Sequence, residues 1–213
     1  MFFELTDLLT CPRCGTAHGL VLLVQDVNER RVRNGWLGCP NCRHDYPVSD
    51  GVADLRLDTN ATPKRREPLR DGELALKILA LSGLAGQKAV LLVDERLAHA
   101  ADSIVSIAPD LEVIVLLTSP EESRIENGIS RLVTGGTIPL VEYRLPGVAI
   151  APGGDSELVS AAARRVAAGG RLVLFDARET DVAAAKEAGL TLVAVEGGTA
   201  VAERKVERAF QSR

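Results

Sequence analysis

Four cysteines in two C-x-x-C pairs, Cys11-Pro12-Arg13-Cys14 and Cys39-Pro40-Asn41-Cys42, constrain the chain more than any other feature. The two-residue gap lets both thiols of a pair point inward. Together the pairs offer one ion four soft ligands at about 2.3 Å, the tetrahedral set that zinc prefers. Four thiolates leave no open coordination position, so the expected site is structural rather than catalytic. A redox dithiol needs only one such pair. His18 and His44 stand close in sequence, but the cysteines already complete the set. The segment that carries them, residues 1–57, is too short to bury a self-sufficient core. Metal binding would contribute on the order of 10 kcal/mol to its folding. Between the pairs, Leu20–Val24, a polar turn near Asp26–Glu29 and Arg31–Leu37 predict a hairpin.

Beyond the cysteines the chain changes character. Residues 58–70 are polar, contain Pro63 and Pro68, show no hydrophobic period and read as a linker. Residues 71–213 alternate helical and extended patterns. Helices are expected over Glu73–Leu84, Leu97–Ile107, from Pro120 onward, over Ser156–Ala168 with Asp155 as cap, and from Thr180 to Ala188. Strands are expected at Ala89–Val93, Val113–Leu117, Ile138–Arg144, Val148–Ala151, Leu172–Phe175, Leu192–Glu196 and Thr199–Glu203. Gly197-Gly198 joins the last two as a hairpin. The fold class is α/β: a small N-terminal zinc ribbon, then a Rossmann-like, seven-stranded, mostly parallel doubly wound sheet. The domains are 1–57, the linker 58–70, and 71–213.

Charge narrows the partners. Residues 1–70 hold ten Lys/Arg against nine Asp/Glu, and residues 71–213 fifteen against twenty, so neither part has the basic excess of a phosphate-tracking surface. The Lys64-Arg65-Arg66 run reads as a solvated linker. The N-terminus has no basic n-region and the chain no apolar run of about 20 residues, so a cytoplasmic protein without membrane contact is expected.

Around the cysteines, Leu5-Thr6-Asp7-Leu8-Leu9-Thr10 leads into the first pair and Tyr46-Pro47-Val48-Ser49-Asp50-Gly51-Val52 follows the second. This pattern, over about residues 4–57, resembles the small zinc-ribbon activator subunit of RNA and protein methyltransferases, the Trm-one-twelve family. Two positions depart from it: Ala53 stands where the family usually has proline, and Arg43 where glycine often follows the second pair. The resemblance implies a non-catalytic partner that holds a methyltransferase by adding a strand to its sheet. The matching strand is Val52-Ala53-Asp54-Leu55-Arg56-Leu57, in which apolar and charged residues alternate. It could equally finish the ribbon's own sheet, or be satisfied in cis.

The second domain resembles a class I S-adenosylmethionine-dependent methyltransferase fold, but three of that fold's sites are missing together. The first strand runs into Asp94-Glu95-Arg96 with no glycine turn, the second ends in Thr118-Ser119 without an acid, and the fourth leads to Pro152-Gly153-Gly154. Gly153-Gly154 reads as a turn before a capped helix, since Asp155 and Glu157 would repel an anion there. His99 is the only histidine outside the ribbon and reads as packed or exposed. No catalytic set and no S-adenosylmethionine site is expected. The expected role is a zinc-binding adaptor or activator, in RNA or protein methylation or translation, with a methyltransferase or ribonucleoprotein component as protein partner. An atypical methyltransferase is the alternative. A further one is an RNA-binding ribbon using Arg30, Arg31, Arg33 and Lys64–Arg66. On this reading, metal loss unfolds residues 1–57 and leaves the second sheet intact.

Overall fold

The computed structural model describes residues 1–59, 66–84, 89–120 and 127–206. The N-terminal part opens with a 3-10 turn, Phe3–Leu8. It continues with β1 (Thr10–Cys11), β2 (Gly15–Gly19), β3 (Val21–Asn28), β4 (Arg31–Gly38), β5 (Asp45–Ser49) and β6 (Val52–Asp54). The β3–β4 hairpin turns through Glu29 and Arg30, both in the left-handed region at φ 48° and 63°. A two-residue turn of that kind matches the twist of the flanking strands. Asp50 and Gly51, at φ 49° and 81°, make the same turn between β5 and β6. Gly35 on β4 cannot carry a side chain, because a Cβ there would lie 2.4 Å from the Leu23 carbonyl oxygen on β3.

The second part comprises α1 (Leu74–Ser82), β7 (Ala89–Val93), a 3-10 turn (Glu95–Ala100) running into α2 (Ala101–Ile107), β8 (Leu111–Leu117) and β9 (Ile129–Val133). After these come β10 (Leu145–Ile150), α3 (Ser156–Arg165), β11 (Val166–Leu174), α4 (Glu179–Glu187), β12 (Thr191–Glu196) and β13 (Thr199–Glu203). The helix expected from Pro120 lies largely outside the described residues. Asp155 caps α3 as expected, its Oδ1 accepting from the Leu158 amide at 3.0 Å.

Eleven strands, not seven, form one mixed sheet in the order β12-β13-β11-β10-β7-β8-β9-β6-β5-β4-β3. From β11 to β9 all neighbours are parallel, and β13 is antiparallel to both β11 and β12. The ribbon supplies the other four strands, joined by a parallel pairing in which Val52, Ala53 and Asp54 face Arg131, Leu132 and Val133. The third parallel strand is therefore Ile129–Val133, and the expectation of a strand at Ile138–Arg144 is corrected. Ser130 and Arg131 interrupt the apolar signal of the true strand. Pro139, which has no N–H, sits inside the apparent one.

That segment matters nonetheless. Among the described residues no helix joins β9 to β10, so this stretch of the sheet has no helix of its own on one face. The ribbon covers it. The Thr10 amide donates to Pro139 O at 2.9 Å and the Val141 amide to Leu8 O at 2.8 Å. Met1, Leu5 and Leu9 of the ribbon share one buried apolar cluster with Ile114, Leu116, Leu132, Ile138 and Leu140. Full burial of each such leucine stabilises by about 2 kcal/mol. Helices α3 and α4 continue the same layer, while α1 and α2 cover the opposite face.

A polar pin crosses the same junction. Arg31 on β4 makes two bonds to Glu112 on β8, at 2.7 and 2.6 Å, and both residues are buried. Ser130 on β9 donates to Glu112 at 2.6 Å and accepts from the Phe2 amide at 2.8 Å. Breaking a buried pair strands a charge, whereas replacing both partners by apolar residues can be nearly neutral. Glu112→Ala should cost about 3–5 kcal/mol in urea denaturation, and Arg31→Met/Glu112→Leu should recover most of it. A single mutant as stable as the parent would show that the pin contributes nothing.

Candidate functional site

The two C-x-x-C turns bring Cys11, Cys14, Cys39 and Cys42 together, with their sulfurs all within 4.8 Å of one another. Cys11 Sγ lies 3.7 Å from Cys42 Sγ, and Cys39 Sγ 3.8 Å from Cys14 Sγ. A disulfide would need about 2.05 Å. Four sulfurs around a tetrahedral ion at bond lengths of about 2.3 Å stand about 3.8 Å apart, so the set could hold a metal and is consistent with zinc. Asn41 Nδ2 donates to Cys14 Sγ at 3.3 Å, and Tyr46 Oη lies 3.4 Å from Cys11 Sγ. His44 packs its ring edge against Tyr46, at 4.7 Å between centroids. Burial raises the Cys11 thiol, but hydrogen bonds from Tyr46 and the backbone outweigh it and bring it down to about 7.

Arg43 explains one departure from the family pattern. Its φ is 59°, a left-handed conformation that glycine adopts freely and other residues adopt at a cost. Arg43→Gly should therefore gain about 0.5–1 kcal/mol in denaturant unfolding; a loss of stability would contradict the strain.

The predicted partner strand is shorter than its sequence pattern. Pairing covers Val52, Ala53 and Asp54, and the Leu55 amide adds one bond to Val133 O at 2.8 Å. Ala53 and Leu55 are buried, but Leu57 is 57% exposed, so the alternation expected to run through residue 57 stops at Leu55. Arg56 turns back onto Asp54 with bonds of 2.9 and 2.6 Å. Arg31, one of the candidate RNA contacts, is held by Glu112, while Arg30 and Arg33 are exposed. Lys64 and Arg65 lie outside the described residues.

Between β7 and β10 the strand order reverses, the place where a doubly wound sheet opens its ligand crevice. Side chains cross that crevice here. Asp94 Oδ2 accepts from the Ala151 amide at 3.1 Å, and Arg96 donates to Ala151 O at 3.0 Å and to Asp176 at 2.9 Å. Glu95 accepts from the Thr118 amide at 3.1 Å, at the end of β8. Arg66 reaches Pro152 O at 3.2 Å and pairs with Asp155. The groove left above these residues brings Arg66, Arg96 and Arg178 together with Glu67, Asp155 and Asp176, a balanced set of charges. Arg66 was not legible as part of this site, since its basic run looks like solvated linker. His99 is exposed, outside the crevice.

Residues 3–51 match the family of Trm112p-like proteins. The Trm112-like segment thus contains both cysteine pairs and ends just before β6. No curated protein matches the chain. Among solved structures, a complex between the Haloferax volcanii Trm112 methyltransferase activator and a methyltransferase is similar at 10% identity and a TM-score of 0.50, over 64% of this chain and 90% of that one. The antibiotic-resistance methyltransferase Kmr is similar at 14% identity and TM-score 0.45, over 68% and 97% of the two chains. MycE from the mycinamycin biosynthetic pathway gives 13% and 0.49, over 66% and 49%. At such identities the likeness is one of fold: a class I methyltransferase-like sheet behind a Trm112-like ribbon. No helix among the described residues is long and apolar enough to cross a membrane.

Two outcomes follow from the site. Elemental analysis should find one zinc per chain, and Cys39→Ser should lose it and lower the melting temperature; full metal content in the variant would contradict the four-thiolate set. Burial pushes the Asp94 carboxyl up to about 6 from its ordinary 3.8. Because the folded chain then binds the extra proton between these values, stability should fall as pH rises from about 4 to about 6. Asp94→Asn should remove that slope, on the order of 3 kcal/mol, in denaturation followed across the window.

Proposed function

We propose that this chain is a non-catalytic, zinc-supported adaptor in which an activator-type ribbon carries its own methyltransferase-like partner. The division is 1–57 for the ribbon, 58–70 for the linker and 71–213 for the partner domain, with Cys11, Cys14, Cys39 and Cys42 as zinc ligands. One observation carries the reading: the parallel pairing of β6 with β9. Of the strand assigned by family resemblance to partner capture, Val52–Leu57, residues 52–55 are already used within the chain. The Trm112 of the Haloferax volcanii complex is a methyltransferase activator bound to a separate methyltransferase. Here the corresponding interaction is intramolecular.

The crevice supports the non-catalytic half of the proposal. A class I cofactor site needs a close backbone approach after the first strand, and here Asp94, Glu95 and Arg96 occupy that turn with side chains bonded across it. S-adenosylmethionine would have to displace all three. The adaptor's protein partner, a methyltransferase or a ribonucleoprotein component, then meets another surface. The ribbon's outer edge suits it. The edge strand β3 exposes Val21, Leu23 and Val27, and Trp36 lies beside Leu23 on β4. Strand addition at such an edge draws affinity from backbone bonds and specificity from alternate side chains.

Titration calorimetry with S-adenosylmethionine and the zinc-loaded chain decides between adaptor and enzyme. The adaptor gives no saturable heat, and micromolar binding overturns it.

A further inference from the structure

We infer that Asn127-Gly128, in the turn that enters β9, is a self-modification site at which Asn127 loses its side-chain amide and leaves a carboxylate at the junction of ribbon and sheet. The inference goes beyond the adaptor reading and does not depend on it.

The step needs no enzyme. The Gly128 backbone nitrogen attacks Asn127 Cγ, the C–N bond of the side-chain amide breaks, and ammonia leaves with the proton of the attacking nitrogen. The cyclic imide so formed takes up water. Attack of water at Cγ restores the ordinary main chain and gives aspartate. Attack at the main-chain carbonyl gives isoaspartate, with an additional carbon in the main chain.

The chain holds two Asn-Gly pairs, and the fold treats them oppositely. Asn34-Gly35 lies inside β4, where Gly35 is paired with Val24 on one side and Val48 on the other. Asn34 Oδ1 also accepts from the Asp50 amide at 3.3 Å. Extended backbone held on both sides keeps the amide nitrogen away from the side chain that it would have to attack. Asn127 is exposed in a turn, and among the described residues neither its side chain nor the Gly128 amide makes a hydrogen bond. Gly128 must nevertheless stay glycine. Its φ is 78°, and a Cβ there would lie 2.6 Å from Val105 Cγ1. Packing thus requires the residue that least hinders ring closure.

The products have somewhere to act. Asn127 lines a polar cavity of about 230 Å³ with Asn28, Glu29, Arg31 and Arg33. Arg31 is held by Glu112, but Arg33 is exposed and its side chain makes no ion pair among the described residues. Aspartate at 127 adds a carboxylate to the cavity that this cation lines. Isoaspartate instead lengthens the chain directly before Gly128, whose carbonyl accepts from the Val113 amide at 2.7 Å, and so disturbs the start of the strand that β6 joins.

The test is peptide mapping by mass spectrometry on the full, zinc-loaded chain aged in mildly alkaline buffer, with the same protein in urea as reference. In urea both asparagines should convert, each with a mass gain of about one dalton. In the folded chain Asn127 should convert at least about tenfold faster than Asn34, because strand opening must precede reaction at Asn34. Asn127→Gln, which closes a larger ring, should abolish conversion at residue 127 and leave Asn34 as it was. Equal rates at the two positions in the folded chain, or conversion of Asn127 more than about tenfold slower than in urea, overturns the site. Isoaspartate-bearing chains, separated chromatographically, should melt below the unaged protein, whereas Asn127→Asp should not. Identical melting of the isoaspartate form and the unaged protein overturns the effect on the junction.

Discussion

In a doubly wound sheet every strand must bury both faces, and each crossover normally brings a helix to do it. The connection from β9 to β10 passes over the sheet with no helix among its described residues, leaving Ile114, Leu116 and Leu132 to be covered from elsewhere. The ribbon's opening turn and β1 supply that cover, and β6 occupies the sheet edge beside β9. Packing and backbone pairing thus act at one junction. Neither the ribbon, too small for its own core, nor the sheet, left bare over part of one face between α3 and its edge, has a complete apolar interior alone.

This dependence gives the cysteine knot a wider structural reach than its size suggests. The knot fixes the turns that orient β4 and β5, and β5 in turn pairs with β6. Arg31, at the start of β4, carries the same order into the sheet through Glu112. The apolar cluster runs from Cys11 and Cys39 to Leu92 and Leu174 without a break. A picture in which metal loss unfolds only residues 1–57 sits poorly with such a core. The two parts should fall together. The crevice of the same sheet is spanned by its own side chains, from Asp94 and Arg96 to Ala151.

Much of this architecture can be read from residue patterns, for reasons that also explain the gaps. The cysteine spacing is a direct statement of coordination chemistry, and the four sulfurs do meet. Continuous runs such as Ala89–Val93 and Val113–Leu117 mark buried strands, and Gly197-Gly198 marks a turn that needs left-handed backbone at both positions. Ile129–Val133 escapes because Ser130 and Arg131 break its run. Ser130 is nevertheless fully buried, satisfied by the Glu112 network that only tertiary structure assembles. Helix α3 ends at Arg165 rather than Ala168 because Val166 is drawn into pairing with Leu145. Whether β6 would bind in cis or in trans is not written in its own residues, since an edge strand's backbone offers the same bonds to either partner. Arg66 illustrates the same limit: a linker arginine becomes part of a crevice only once Asp155 and Pro152 stand opposite it.

Joined at β6 and β9, ribbon and sheet should unfold as one cooperative unit. Hydrogen exchange resolved by segment, on zinc-loaded and chelator-treated protein, tests it most directly. Removing the metal should deprotect Ile129–Val133 and Leu111–Leu117 together with the ribbon strands. Loss of protection confined to residues 1–57, with β8 and β9 still exchanging as in the zinc-loaded protein, would contradict it.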